Sequence, residues 1–79
     1  MPYADKKDRK IHIYGFSHEG IQRFALMRSR FSGLYYFREY VGAGYYITHD
    51  LIGGRTGGFF KTSENAEKAL FAEFNVERL

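Results

Sequence analysis

The chain has 79 residues with a formal net charge of +3, and 44% of its residues are hydrophobic. This length is enough for one domain with one modest core, and it excludes a substrate domain beside a cofactor domain. The absence of cysteine excludes a disulfide framework and thiolate zinc ligands, so core packing must stabilise the fold.

Charge and hydropathy restrict the partners and the location. Residues 1–38 carry eight basic and three acidic side chains, whereas residues 39–79 carry four basic and six acidic ones. This asymmetry favours an anionic partner for one face. The apolar runs are too short for a transmembrane helix, and the first ten residues lack the apolar core of a signal peptide. We therefore expect a cytoplasmic protein without a membrane partner.

The first part of the chain predicts an arm, a strand and a helix. Residues 1–9 are polar and predict a flexible basic arm. Residues 10–16, KIHIYGF, alternate in the manner of a strand. Ser17 is a suitable N-cap, and the apolar spacing of residues 18–31 predicts an amphipathic helix. Gly33 suits the left-handed position that follows a helix. The apolar arc of this predicted helix comprises Ile21, Phe24, Ala25, Met27 and Phe31.

The second part predicts a meander followed by a helix. Three strands are expected over 34–41, 45–50 and 58–62, joined by glycine-rich links. Thr62 or Ser63 then caps the last helix. The sequence therefore predicts a single α+β domain over residues 10–79 with the order β-α-β-β-β-α. Its antiparallel sheet of three or four strands carries both helices on one face.

The glycine-rich segment GGRTGG, residues 53–58, resembles a phosphate-binding loop in composition but not in context. Such a loop needs a helix immediately after it, and here FFKT intervenes. The segment is better interpreted as a turn between strands, and Arg55 at its tip could contact a ligand bound to the neighbouring sheet face. The three histidines lack metal-ligand spacing and no nucleophile motif is present. We expect no catalytic residue, metal site or cofactor.

The sheet face away from the helices is the best candidate for binding. Tyrosines interleaved with arginine can stack on bases while the cation meets phosphate, and they are equally suited to a protein partner. A purely structural role, or cover by a second copy in a homodimer, is also open. The predicted face comprises Tyr14, Tyr36, Arg38, Tyr40 and Tyr46, with His12 and Thr48.

Two basic segments are separate candidates for contacting an anion. Arg23 and Arg30 lie on the polar side of the predicted first helix, with Arg28 at the edge of its apolar arc, and these arginines could follow a phosphate backbone or simply be solvated. The basic arm could add sequence-independent affinity or be a solvated tail.

The end of the chain, a meander running into GGFFKTSENAEKAL, resembles AP2-type and integrase arm-type DNA-binding modules over residues 34–74. The shared features are a short aromatic strand and a Thr/Ser-capped helix rich in Ala and Glu. The resemblance favours nucleic-acid binding and identifies no family.

Together these features predict a small non-enzymatic module that binds nucleic acid. The alternative is a phage-type inhibitor or adaptor that binds a nucleic-acid-processing or defence complex of a host. The acidic last helix would then face that partner.

Overall fold

The computed structural model describes residues 7–16, 21–41, 45–48 and 58–79. The strands are β1 (Arg9–Phe16), β2 (Ile21–Arg28), β3 (Tyr35–Val41), β4 (Tyr45–Thr48) and β5 (Glu77–Arg78), and the helix is α1 (Ser63–Glu73). The strands form one antiparallel sheet in the order β4-β3-β2-β1-β5. The fold is therefore a small α+β domain, with no helix in the described ranges long and apolar enough to span a membrane.

The predicted first helix was wrong, because residues 21–28 form the central strand β2. Four consecutive side chains of this strand are buried. Phe24 and Leu26 belong to the core beneath α1, whereas Ala25 and Met27 belong to a second cluster. A strand covered on both faces reads as a continuous apolar run, which hydrophobic spacing does not separate from a buried helix. The predicted cap and first turn, residues 17–20, lie outside the described residues.

The structure agrees more closely with the other predicted strands. The strands expected at 10–16 and 34–41 are present as β1 and β3, and β4 pairs antiparallel with β3 as expected. The strand expected at 58–62 is reduced to one bridge, in which Tyr35 and Phe60 exchange backbone hydrogen bonds of 2.8 Å. Within the described residues, the order β-α-β-β-β-α is thus corrected to four strands, one helix and a short fifth strand.

The helix α1 begins at the predicted cap. The Thr62 hydroxyl accepts a hydrogen bond of 3.1 Å from the backbone N–H of Asn65. Ala66 and Leu70 are the buried residues of the helix and pack on the sheet. The core on this side of the sheet comprises Tyr14, Phe24, Leu26, Phe37, Phe60, Ala66, Leu70 and Val76.

A tight loop at 29–34 connects β2 to β3. The N–H of Ser29 donates to the carbonyl of Leu34 at 2.8 Å, and the N–H of Gly33 donates to the carbonyl of Ser29 at 2.9 Å. Gly33 has a φ of 73°, the left-handed conformation predicted for it, but it follows a strand and not a helix. The loop places β2 and β3 side by side and turns Arg30 and Phe31 outward.

Replacing Gly33 with alanine should destabilise the protein by about 1–2 kcal/mol, because an L side chain is strained in the left-handed region. A Cβ at this position would meet Arg28 Nη2 at 3.8 Å, an ordinary contact, so the cost is one of backbone conformation. Gly33→Asn should cost less, since asparagine tolerates this conformation. Urea unfolding of the three proteins measures the differences, and an alanine variant as stable as the parent contradicts the prediction.

Candidate nucleic-acid interface

Cationic side chains from distant parts of the sequence meet at one corner of the sheet. Antiparallel pairing of β1 with β2 sets Arg9 directly opposite Arg28. The residues before β1 and after β2 extend this pair into a cleft of about 290 Å³. The cleft is lined by Lys7, Arg9, Arg28, Ser29, Arg30 and Gly33. Four basic residues thus share one concave surface, which we call the basic cleft.

The arginines of the basic cleft are oriented by neighbouring groups. Arg28 Nε donates to the carbonyl of Gly33 at 3.3 Å, and its guanidinium lies 5.4 Å from the centre of the Tyr35 ring. The Arg30 guanidinium lies 4.4 Å from the centre of the Phe31 ring. Phe31 is 77% exposed, although its position in the predicted helix had placed it in the core. An exposed aromatic ring therefore borders the cations.

Asp8 connects the start of β1 to the loop that follows β2. Its Oδ1 accepts a hydrogen bond of 2.9 Å from the backbone N–H of Arg30, and its Oδ2 accepts a hydrogen bond from the hydroxyl of Tyr36. Burial of Tyr36 and its bond to Asp8 raise the pKa of the phenol, whereas Arg38 acts in the opposite direction. The phenol stays protonated and donates. The described part of the predicted arm, residues 7–9, is therefore held against the sheet.

The tyrosines of the predicted binding face do not share one exposed face in the structure. Tyr36 is only 3% exposed, so its ring offers no surface for a base to stack on. Tyr14 was predicted to share its face but is fully buried in the core beneath α1. The strand β1 has irregular register between Lys10 and His12, which breaks the alternation on which that prediction rested. Ile11 and Tyr14 consequently both pack against the same core.

The remaining predicted site residues are dispersed. Arg23 lies on β2, not on a helix, and forms an ion pair of 3.1 Å with Glu39. Tyr40 is half-buried on β3 and lies opposite Tyr46 of β4 in the strand register. Arg55 lies outside the described residues. Of the predicted contact residues that the structure describes, Arg30 lines the basic cleft, together with Arg28 and with Lys7 and Arg9 of the predicted basic arm.

Tyr14 has a structural role in a polar cluster under α1. Its hydroxyl donates to Glu67 Oε2 at 2.5 Å, and Arg78 Nη2 donates to the same oxygen at 2.5 Å. Burial of Tyr14 and, to a smaller extent, its hydrogen bond to Glu67 raise the pKa of the phenol. One carboxylate thereby joins β1, α1 and β5.

Comparison with known proteins adds no assignment: no family model, curated protein or solved structure matches the chain. Within the described residues, no group of three or more His, Asp or Glu side chains is arranged to hold a metal ion. The basic cleft is therefore interpreted from its own chemistry.

Glu67 should make the stability of the protein sensitive to acid. Burial alone raises the pKa of its carboxyl, but hydrogen bonds from Tyr14 and Arg78 outweigh burial and leave the pKa below its usual value. A carboxyl whose pKa is lower in the folded state stabilises the fold above its unfolded pKa, about 4.3, and this contribution is lost as the pH falls through the folded pKa.

Urea unfolding at about pH 7 and about pH 3 should show a smaller loss of stability for Glu67→Gln than for the parent. The variant itself should be less stable than the parent at the higher pH. Glu64→Gln, on the exposed first turn of α1, is the control and should behave like the parent. Equal acid sensitivity in all three proteins contradicts the role of Glu67.

Proposed function

We propose that this protein is a non-enzymatic module that binds nucleic acid through the basic cleft. The observation that carries the proposal is the convergence of Lys7, Arg9, Arg28 and Arg30 beside the exposed ring of Phe31. Such a surface matches a phosphate backbone, because each cation that neutralises a phosphate releases counterions and gains affinity. Aromatic rings beside the cations supply stacking that tolerates any base.

The proposal changes the roles first predicted for the tyrosines. Tyr14 and Tyr36 act inside the fold, where they orient Glu67 and Asp8. Arg38 and Tyr40 lie further along β3 and are proposed to border the bound strand. The centre of binding is the corner where β1 begins and β2 ends.

A protein partner is the second candidate, and the outer surface of α1 favours it. Phe71 is 45% exposed and lies on the same helix as exposed Glu64 and Glu73. An apolar ring among carboxylates suits a basic protein that itself handles nucleic acid. A direct complex with such a protein should survive nuclease treatment and should be weakened by Glu73→Lys. If the partner is recovered only because both proteins bind the same nucleic acid, nuclease treatment should abolish the recovery.

Arg30→Ala should weaken binding to DNA or RNA and make that binding less dependent on salt. Loss of one phosphate contact lowers the slope of log affinity against log salt by about 1. Fluorescence anisotropy with a labelled oligonucleotide, repeated over a range of salt concentrations, measures both quantities.

The matched control for Arg30→Ala is Lys68→Ala, which removes one positive charge from an exposed position on α1. The control should keep the salt slope of the parent. The proposal fails if the parent protein does not bind at low salt, or if both variants lose affinity equally.

A further inference from the structure

A second groove, which we call the apolar groove, lies next to the basic cleft. Its volume is about 400 Å³, within the range of sites that bind small ligands. It is lined by Leu34, Phe59, Phe60, Lys61 and Asn65. Phe59 is 39% exposed, so a substantial part of its ring is available to a ligand.

The apolar groove and the basic cleft are adjacent. Gly33 lines the cleft and the next residue, Leu34, lines the groove, and consecutive Cα atoms are about 3.8 Å apart. A chain of contacts also joins the two sites. The Phe59 ring packs 5.6 Å from the Tyr36 ring, and the Tyr36 hydroxyl is bonded to Asp8. Asp8 in turn accepts the N–H of Arg30 in the cleft.

The lining of the apolar groove suits a planar heteroaromatic ring. The exposed part of the Phe59 ring offers a stacking surface, and Leu34 and Phe60 supply apolar walls. Asn65 also lines the groove, and its side-chain amide carries both a hydrogen-bond donor and an acceptor, which fits the edge of a nucleobase. Lys61 also lines the groove and adds a cationic side chain to it.

We propose that the apolar groove receives an unpaired nucleobase of a single strand whose phosphates lie in the basic cleft. This inference rests on the proposed function and specifies its substrate as single-stranded nucleic acid. In a duplex the bases are stacked and paired, so a base can enter the groove only where the strand is single or opened.

The test compares single strands that have the same number of phosphates but differ in their bases, and it adds the duplex, which has twice as many phosphates. The probes are a single-stranded DNA, the RNA of the same sequence, the corresponding duplex, and a single strand whose nucleotides are abasic. In anisotropy titrations at one salt concentration, the intact single strands should bind on the order of tenfold more tightly than the abasic strand. Binding to the duplex should also be weaker than to the intact single strands, and the tighter of DNA and RNA identifies the preferred sugar.

Two variants assign this preference to the groove. Phe59→Ala should reduce the difference between intact and abasic strands severalfold, whereas Phe59→Tyr should keep it, because a tyrosine ring still stacks. Asn65→Ala changes an exposed side chain and leaves the backbone bond to Thr62 in place, so it should fold normally and also reduce the preference for intact over abasic strands. Both variants should keep the salt slope of the parent.

The outcomes separate the two proposals. Equal affinity for intact and abasic strands, or a preference unaffected by Phe59→Ala and Asn65→Ala, overturns the apolar groove as a base site and leaves the basic cleft in place. Failure to bind any oligonucleotide at low salt overturns the proposed function, and this inference with it.

Discussion

Burial of β2 on both faces is the constraint on which the rest of the molecule depends. Phe24 and Leu26 complete the core beneath α1, and Ala25 and Met27 complete the cluster on the other side. Burying each large apolar side chain contributes about 1.5–3 kcal/mol. A strand that is apolar on both sides must lie in the middle of a sheet, so β1 and β3 are required as its neighbours. Their register then determines which surface residues meet.

Two buried tyrosines join the periphery of the fold to this sheet. The Tyr14 hydroxyl donates to Glu67 beneath α1, and the Tyr36 hydroxyl donates to Asp8 beside the basic cleft. A buried hydroxyl without a partner is costly, so each pair satisfies a phenol and fixes a carboxylate at the same time. Both tyrosines were predicted to form a binding surface but belong to the framework of the fold, and Tyr36 connects that framework to the basic cleft through Asp8.

The strands β1 and β3 and the capped helix α1 could be predicted, since alternation and the Thr62 cap are local properties. The central strand could not, because the run FALM satisfies helical spacing as well as it fills a sheet buried on both faces. The side-chain direction of Tyr14 depends on an irregularity of register that no local pattern marks. The basic cleft depends on that strand assignment: with residues 21–28 as a helix, Arg28 has no reason to lie beside Arg9.

The pairing of Arg9 with Arg28 is unfavourable for folding and therefore informative about function. Like charges directly opposite each other on neighbouring strands destabilise a sheet. The contacts of Arg28 with Tyr35 and Gly33 orient its guanidinium without removing its charge. Residue arrangements that lower the stability of the fold are concentrated at functional sites, where a bound ligand can compensate for their cost. An anionic ligand would turn this repulsion into affinity, and the proposed nucleic-acid strand would do so over the whole cleft at once.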